Sequence, residues 1–154
     1  LKTIGLRYFN IYGPCQDLDG AYAAVIPKWI NAMLRGQELN IFGDGSTTRD
    51  FCYIEDVVQA NILAALNDDD RYDNQFYNIA AGQGTTLNEL FTLLKERIDY
   101  GLDISKKPFR KGDIKISRAD ITKAQNNLGF APLMPLNEGL EKTVEWYRQQ
   151  LDAE

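Results

Sequence analysis

The sequence predicts an α/β protein, because two kinds of segment interleave along its 154 residues. Runs rich in β-branched and aromatic residues, such as TIGLRYFNIYG (residues 3–13) and QFYNIA (75–80), have the composition of strands. Between them lie runs whose apolar residues recur every three or four positions, the spacing of one helix face. Neither kind is confined to one end of the chain. No internal repeat, low-complexity tract or charge block interrupts the alternation, so the class is α/β or α+β.

Residues 3–13 read as a buried strand running into a loop. PCQDLDGAY (14–22) is turn chemistry, with Pro14, Asp17, Asp19 and Gly20. AAVIPKWINAMLRG (23–36) reads as a helix with Val25, Ile26, Trp29, Ile30, Met33 and Leu34 at helical spacing and Gly36 as its stop. Pro27 belongs in its first turn, since a deeper proline would break the hydrogen-bond ladder. ELNIFGDGSTTRDFCYI (38–54) suggests two short strands around a Gly-Asp-Gly turn. EDVVQANILAAL (55–66) suggests a helix with Val57, Val58, Asn61, Ile62, Ala65 and Leu66 near one face. A polar loop, NDDDRYDN, precedes the strand QFYNIA. Thr86 and Glu89 have capping-box spacing, and the helix they open carries Leu87, Leu90, Phe91, Leu94 and Ile98. DIKIS (113–117) alternates like a short strand. Asp120 is placed to cap a short helix ending near Gly129. A last helix from about Asn137 aligns Leu140, Val144, Tyr147 and Leu151.

Composition narrows the function. The chain is 44% hydrophobic and 25% charged, as in globular domains, and has no apolar run long enough to span a membrane and no signal-peptide pattern. A formal net charge of -5 argues against general nucleic-acid binding, whose affinity comes from neutralising phosphates. Histidine is absent, which removes a Ser-His-Asp triad and most zinc sites. Cys15 and Cys52 lack metal-ligand spacing and read as reduced thiols. The opening LKTIGLRYF has no Met and looks like a strand already under way, so the sequence reads as a piece of a longer chain.

Three places combine residues suited to an anion. Asn10 stands at the carboxyl end of the first strand, where open α/β sheets bind ligands, and either donates to a phosphate or starts a turn. Arg49 follows GDGSTT and precedes an aromatic strand. Its guanidinium either forks onto a phosphate or is solvated, or pairs with Asp44 or Asp50. Arg110 and Asp113 flank Lys111-Gly112, where glycine permits a tight turn; the stretch is either a cation-and-carboxylate clamp for a sugar diphosphate or an exposed charged loop. None of Tyr8, Tyr12, Tyr22 and Tyr53 has a lysine four residues on, and GDGSTT is too short for a dinucleotide fingerprint and leads into a strand. The residues themselves indicate a ligand-binding portion of an α/β protein, without a catalytic centre.

LRYFNIYGP, FGDGSTTRDFCYIEDVVQANILAAL, YNIAAGQGTTLNEL and FRKGDIKISRADITKAQNNLGF occur in that order. As an ordered set they resemble the C-terminal half of the extended short-chain dehydrogenase/reductases that act on nucleotide sugars. GAYAAVIPKWINAMLRG makes the resemblance strongest to bacterial UDP-N-acetylglucosamine 4-epimerases. The resemblance implies that residues 1–154 are a substrate-binding portion: the last strands of a Rossmann-type sheet plus a small mixed α/β domain. The glycine-rich NAD fingerprint and the catalytic Tyr-x-x-x-Lys pair would lie upstream of Leu1, leaving no catalytic residue here.

The same resemblance implies roles. Tyr8 and Phe9 would lie by the nicotinamide of NAD, and Asn10, Arg49 and Arg110 on the diphosphate of a UDP-sugar. Ala24, Val25, Lys28 and Trp29 would wall the nucleotide, while Asn40, Ile41 and Phe42 would border the uracil. Relatives often carry Tyr at the first and Asn at the last of these three. Asp113 would take the ribose hydroxyls, and Ser117 would leave room for an N-acetyl group. The implied whole is a cytoplasmic, homodimeric, NAD-dependent 4-epimerase of surface polysaccharide synthesis, with neither nucleic acid nor membrane as partner. Alternatives are a UDP-glucuronate epimerase, a dehydratase or decarboxylase of the same fold, or a non-catalytic nucleotide-sugar module.

Overall fold

In the computed structural model, which describes residues 2–17, 24–110 and 112–153, the first strand signal breaks in two. β1 (Ile4–Tyr8) and β2 (Ile11–Tyr12) are separated by Phe9 and Asn10, and Asn10 takes a φ of 33°. The kink sends the halves to different partners. β1 pairs in parallel with β6 (Gln75–Ile79), and β2 in parallel with β5 (Cys52–Tyr53). Asp19, Gly20 and Tyr22 of the following turn lie outside the described residues, as does Lys111.

α1 (Val25–Leu34) has Pro27 in its first turn, buries Ile26, Trp29, Ile30 and Met33, and is followed by Gly36 at φ 65°. β3 (Asn40–Phe42) and β4 (Thr48–Arg49) flank the Gly-Asp-Gly segment but do not pair with each other. β3 runs parallel to β8 (Ser105–Lys107), and β4 antiparallel to β7 (Thr85–Thr86). Within the link between them, the Asp44 carboxylate accepts from the Ser46 N–H at 2.9 Å and its hydroxyl at 2.6 Å. This rounds the link into a loop too long for a two-residue hairpin. β8, of sequence SKK, is wholly exposed and carried no strand signal.

α2 (Ile54–Ala65) corrects the expected face. It buries Asp56, Val57 and Ala60, whereas Val58, Ile62 and Leu66 are exposed at 50%, 52% and 77%. The inward group is a carboxylate, whose oxygens accept from the N–H groups of Leu133 at 2.8 Å and Met134 at 3.3 Å. Hydrophobic periodicity has no means of placing such a residue inside. α3 (Leu87–Ile98) opens with the expected capping box between Thr86 and Glu89. α4 (Thr122–Leu128) begins where Asp120 accepts from the Thr122 N–H at 2.9 Å and ends at Gly129, φ 67°. α5 (Leu136–Asp152) buries Leu140, Val144 and Tyr147 as expected.

Two cores result. One packs α1, α3 and α5 around Tyr12, Phe51 and Tyr53, with Tyr12 and Tyr53 edge-to-face at 5.4 Å. The other packs β6, α2 and α4 around Tyr77, Ile79 and Phe130. Residues 113–117 lie along β4: the Thr48 N–H donates to the Lys115 carbonyl at 2.8 Å, and the Ser117 N–H to the Thr48 carbonyl at 3.0 Å. Only one parallel bridge forms there, and Ile114 and Ile116 are 64% and 74% exposed. The alternation of DIKIS therefore does not mark a buried face. Strands and helices remain intermixed throughout, as the α/β prediction required.

Candidate functional site

A cavity of about 320 Å³ opens between α1, β3, β4, the start of α3, Arg110 and Asp113. Its walls are Val25, Lys28, Trp29, Asn40, Ile41, Phe42, Arg49, Leu87, Arg110 and Asp113. Nine of these ten were expected at a nucleotide-sugar site. Trp29 reaches the wall from α1 and is fixed from behind by an edge-to-face contact with Phe91 of α3, centroids 6.2 Å apart. Leu87 is the tenth. Sequence periodicity assigned it to the apolar face of α3, and nothing in its spacing signals that the first helical residue also lines the cavity.

Polar side chains give the cavity its character. Lys28, Arg49 and Arg110 face one carboxylate, Asp113. A chain of net charge -5 thus concentrates positive charge here, which suits an anion. The Arg110 guanidinium lies 3.7 Å from the centroid of the Phe42 ring, a cation–π contact. Arg49 Nη2 donates to Asp113 Oδ1 at 2.6 Å, while Nη1 donates to the carbonyls of Thr48 at 2.9 Å and Ile114 at 2.6 Å. Arg49 is therefore paired, but with neither Asp44 nor Asp50. The Asp113 N–H donates to the Arg110 carbonyl at 3.2 Å and Gly112 has φ 87°, so the expected tight turn forms and carries both side chains.

Phe109 is seated by a close approach. A Cβ on Gly43 would lie 2.7 Å from the Phe109 Cδ1, so a larger residue just after β3 would require the exposed Phe109 ring to shift.

Three expected ligand contacts lie off the cavity. Asn10 donates its side-chain amide to the Asp50 carbonyl at 3.1 Å and accepts from the Cys52 N–H at 3.3 Å, bracing the kink between β1 and β2. Ala24 is half-buried immediately before α1. Ser117 is half-buried on the segment beside β4, four residues beyond Asp113.

Residues 1–80 match the family model of the NAD dependent epimerase/dehydratase family. The chain belongs to this family. This epimerase/dehydratase chain is 48% identical to the UDP-glucose 4-epimerase of Thermotoga maritima, solved with UDP-glucose; the TM-score is 0.91 over 98% of this chain and 47% of that one. It is 40% identical to a UDP-N-acetylglucosamine 4-epimerase from Methanobrevibacter ruminantium, solved with UDP-N-acetylmuramic acid, with a TM-score of 0.89 over 97% and 47% of the two chains. Among curated proteins it is 34% identical to a UDP-N-acetyl-alpha-D-glucosaminuronate decarboxylase of Bacillus cytotoxicus, over 94% of this chain and 46% of the relative. The chain thus spans about half the length of the relatives it matches.

NAD is the cofactor of the family and is bound in homologous structures. The described residues of this epimerase/dehydratase chain provide no glycine-rich cradle for its pyrophosphate: β1 runs into the Phe9–Asn10 kink, and α2 follows β5 directly. Tyr8, 46% exposed, donates its hydroxyl to Asn61 Oδ1 at 2.9 Å, and Phe9 packs half-buried on the second core. Neither aromatic offers the backbone N–H groups that would hold a dinucleotide pyrophosphate. No helix among the described residues is long and apolar enough to cross a membrane.

Proposed function

We propose that this chain is the UDP-sugar-binding portion of an NAD-dependent UDP-N-acetylglucosamine 4-epimerase, cytoplasmic and dimeric, serving surface polysaccharide synthesis. The observation that carries the reading is the cavity, where three cations and one carboxylate stand beside Trp29 and Phe42. A nucleoside diphosphate offers a matching set: an aromatic base, ribose hydroxyls and two phosphates. Arg110 and Arg49 would take phosphate oxygens, with Lys28 adding charge, and Asp113 would accept from the ribose. Val25, Trp29, Asn40, Ile41, Phe42 and Leu87 would enclose base and ribose. NAD, when bound, would supply the hydride acceptor at the sugar C4.

Ser117 bears on the sugar. A serine beside the hexose would leave volume for an N-acetyl group; the chain is 40% identical to a UDP-N-acetylglucosamine 4-epimerase, and 48% identical to a UDP-glucose 4-epimerase. A second reading, a decarboxylase or uronate epimerase on the same scaffold, is favoured by the 34% identical decarboxylase and a 32% identical UDP-glucuronate 4-epimerase from Thermodesulfobacterium geofontis. Incubating the intact protein with UDP-N-acetylglucosamine and NAD separates the two. Formation of UDP-N-acetylgalactosamine is expected, and Ser117→Tyr should reduce it by about tenfold or more, the scale on which a filled pocket discriminates. Turnover of a UDP-uronate but not of the acetylated sugar would reject the substrate assignment.

A further inference from the structure

Two of the four charged groups lining the cavity are already bound to each other. Arg49 and Asp113 form an ion pair at 2.6 Å, with their side chains 19% and 29% exposed, so solvent screens the pair only in part. The partners are not equally fixed. Arg49 belongs to β4 and is also tied to the Thr48 and Ile114 carbonyls. Asp113 sits on the Gly112 turn, ahead of the first backbone tie to β4 at Lys115. The carboxylate is thus the partner that can move away.

We infer that this pair is a selectivity lock, in which Asp113 competes internally for the anion site on Arg49. A ligand repays the opening of the pair only if it brings an anion for Arg49 and hydroxyl donors for Asp113 together. The inference rests on the nucleotide reading of the cavity and adds to it what the site rejects. Inorganic phosphate and pyrophosphate are mostly acceptors near neutral pH. Capturing Arg49 with either leaves Asp113 without its cation and beside added negative charge. A carboxylate has only acceptor sites when ionised, so it can turn to a ribose diol but not to a second anion. A nucleoside diphosphate supplies both halves in one molecule. Discrimination of this kind comes from a built-in repulsive element rather than from an additional attraction.

Calorimetry on the intact protein tests the lock, with UDP and magnesium-free pyrophosphate as probes against the wild type, Asp113→Asn, Asp113→Ser and Asp113→Glu. The wild type is expected to bind UDP and to bind pyrophosphate much more weakly. Removing the charge should tighten pyrophosphate by about twofold to fivefold, the range of a partly screened ion pair, without tightening UDP. Asn keeps the size of the side chain and Ser does not, so a gain shared by both reports the charge. Asp113→Glu keeps the charge and should show no gain. If the wild type binds UDP but neither neutral variant gains pyrophosphate, or if the Glu variant gains it too, the lock is overturned and the nucleotide site stands. If the wild type does not bind UDP, the nucleotide reading fails and the lock with it.

Discussion

Asp50 follows Arg49 in the chain but serves the interior. It is fully buried, and its carboxylate accepts from the N–H of Ala81 at 2.9 Å and of Ala119 at 3.1 Å. Burial raises its pKa above the usual carboxylate value, although those N–H groups pull it the other way. The segment carrying Ser117 is thereby anchored next to the strand carrying Arg49. Among the candidate residues, Arg110 and Asp113 stood out because they flank Lys111-Gly112, and Arg49 because it follows GDGSTT; all three line the cavity. Leu87 and the inward carboxylates of Asp50 and Asp56 did not stand out, since each depends on contacts made across the fold.

The two cysteines show the same division between local and tertiary information. Sequence presents them as equivalent reduced thiols, and both are free. Cys52 is fully buried, and burial pushes its pKa up to about 12, whereas Cys15 is exposed. Since the thiolate is the reactive species, a thiol reagent at neutral pH should modify Cys15 in the native protein and reach Cys52 only after unfolding. Rapid native labelling of Cys52, read by peptide mass mapping, would contradict the burial described for β5.

At the scale of elements, signals confined to a few neighbouring residues were readable and pairings were not. The capping box at Thr86 and Glu89 formed as spaced: the Thr86 hydroxyl accepts from the Glu89 N–H at 3.1 Å, and Glu89 Oε2 accepts from the Thr86 N–H at 2.7 Å. Those Thr86 hydrogen bonds hold the Glu89 carboxyl below its usual value of 4.5. A depressed folded pKa means that this stabilisation is present above pH 4.5 and is lost as pH falls through the lower folded value. Thr86→Ala should cost about 0.5–2 kcal/mol in urea unfolding at neutral pH. The same substitution should cost less in acid, where the wild-type box is already weakened. An equal loss at both pH values would show that Glu89 plays no part. By contrast, β3, β4 and β5 each found partners far away in sequence, and no local pattern specifies such a choice. The face of α2 was misread because a buried acid replaces an apolar residue at the contact.

Across the whole molecule, the α/β class was legible from the interleaving of segment types, and the ordered motifs carried the family. The division into two cores was not, because Tyr12, Phe51 and Tyr53 belong to one while Cys52, between the last two, belongs to the other. Two-residue strands that cross between cores have alternating side chains serving both. The cavity lies against the first core, with Trp29 and Ile41 shared by core and wall. Its ligand would therefore meet a rigid inner surface on α1 and β3 and a turn at Arg110 and Asp113 that can adjust.

The proposed UDP-sugar site depends on the cations of this cavity. Isothermal calorimetry of UDP binding to the intact protein and its Arg110→Ala variant tests it most directly. Losing a charge-assisted contact to phosphate should weaken UDP by about tenfold to a hundredfold, equivalent to about 1.5–3 kcal/mol. The melting temperature should change little, since Arg110 is exposed and its side chain lies over the Phe42 ring at the surface. Undiminished UDP affinity in Arg110→Ala, with the variant folded, would place the nucleotide elsewhere.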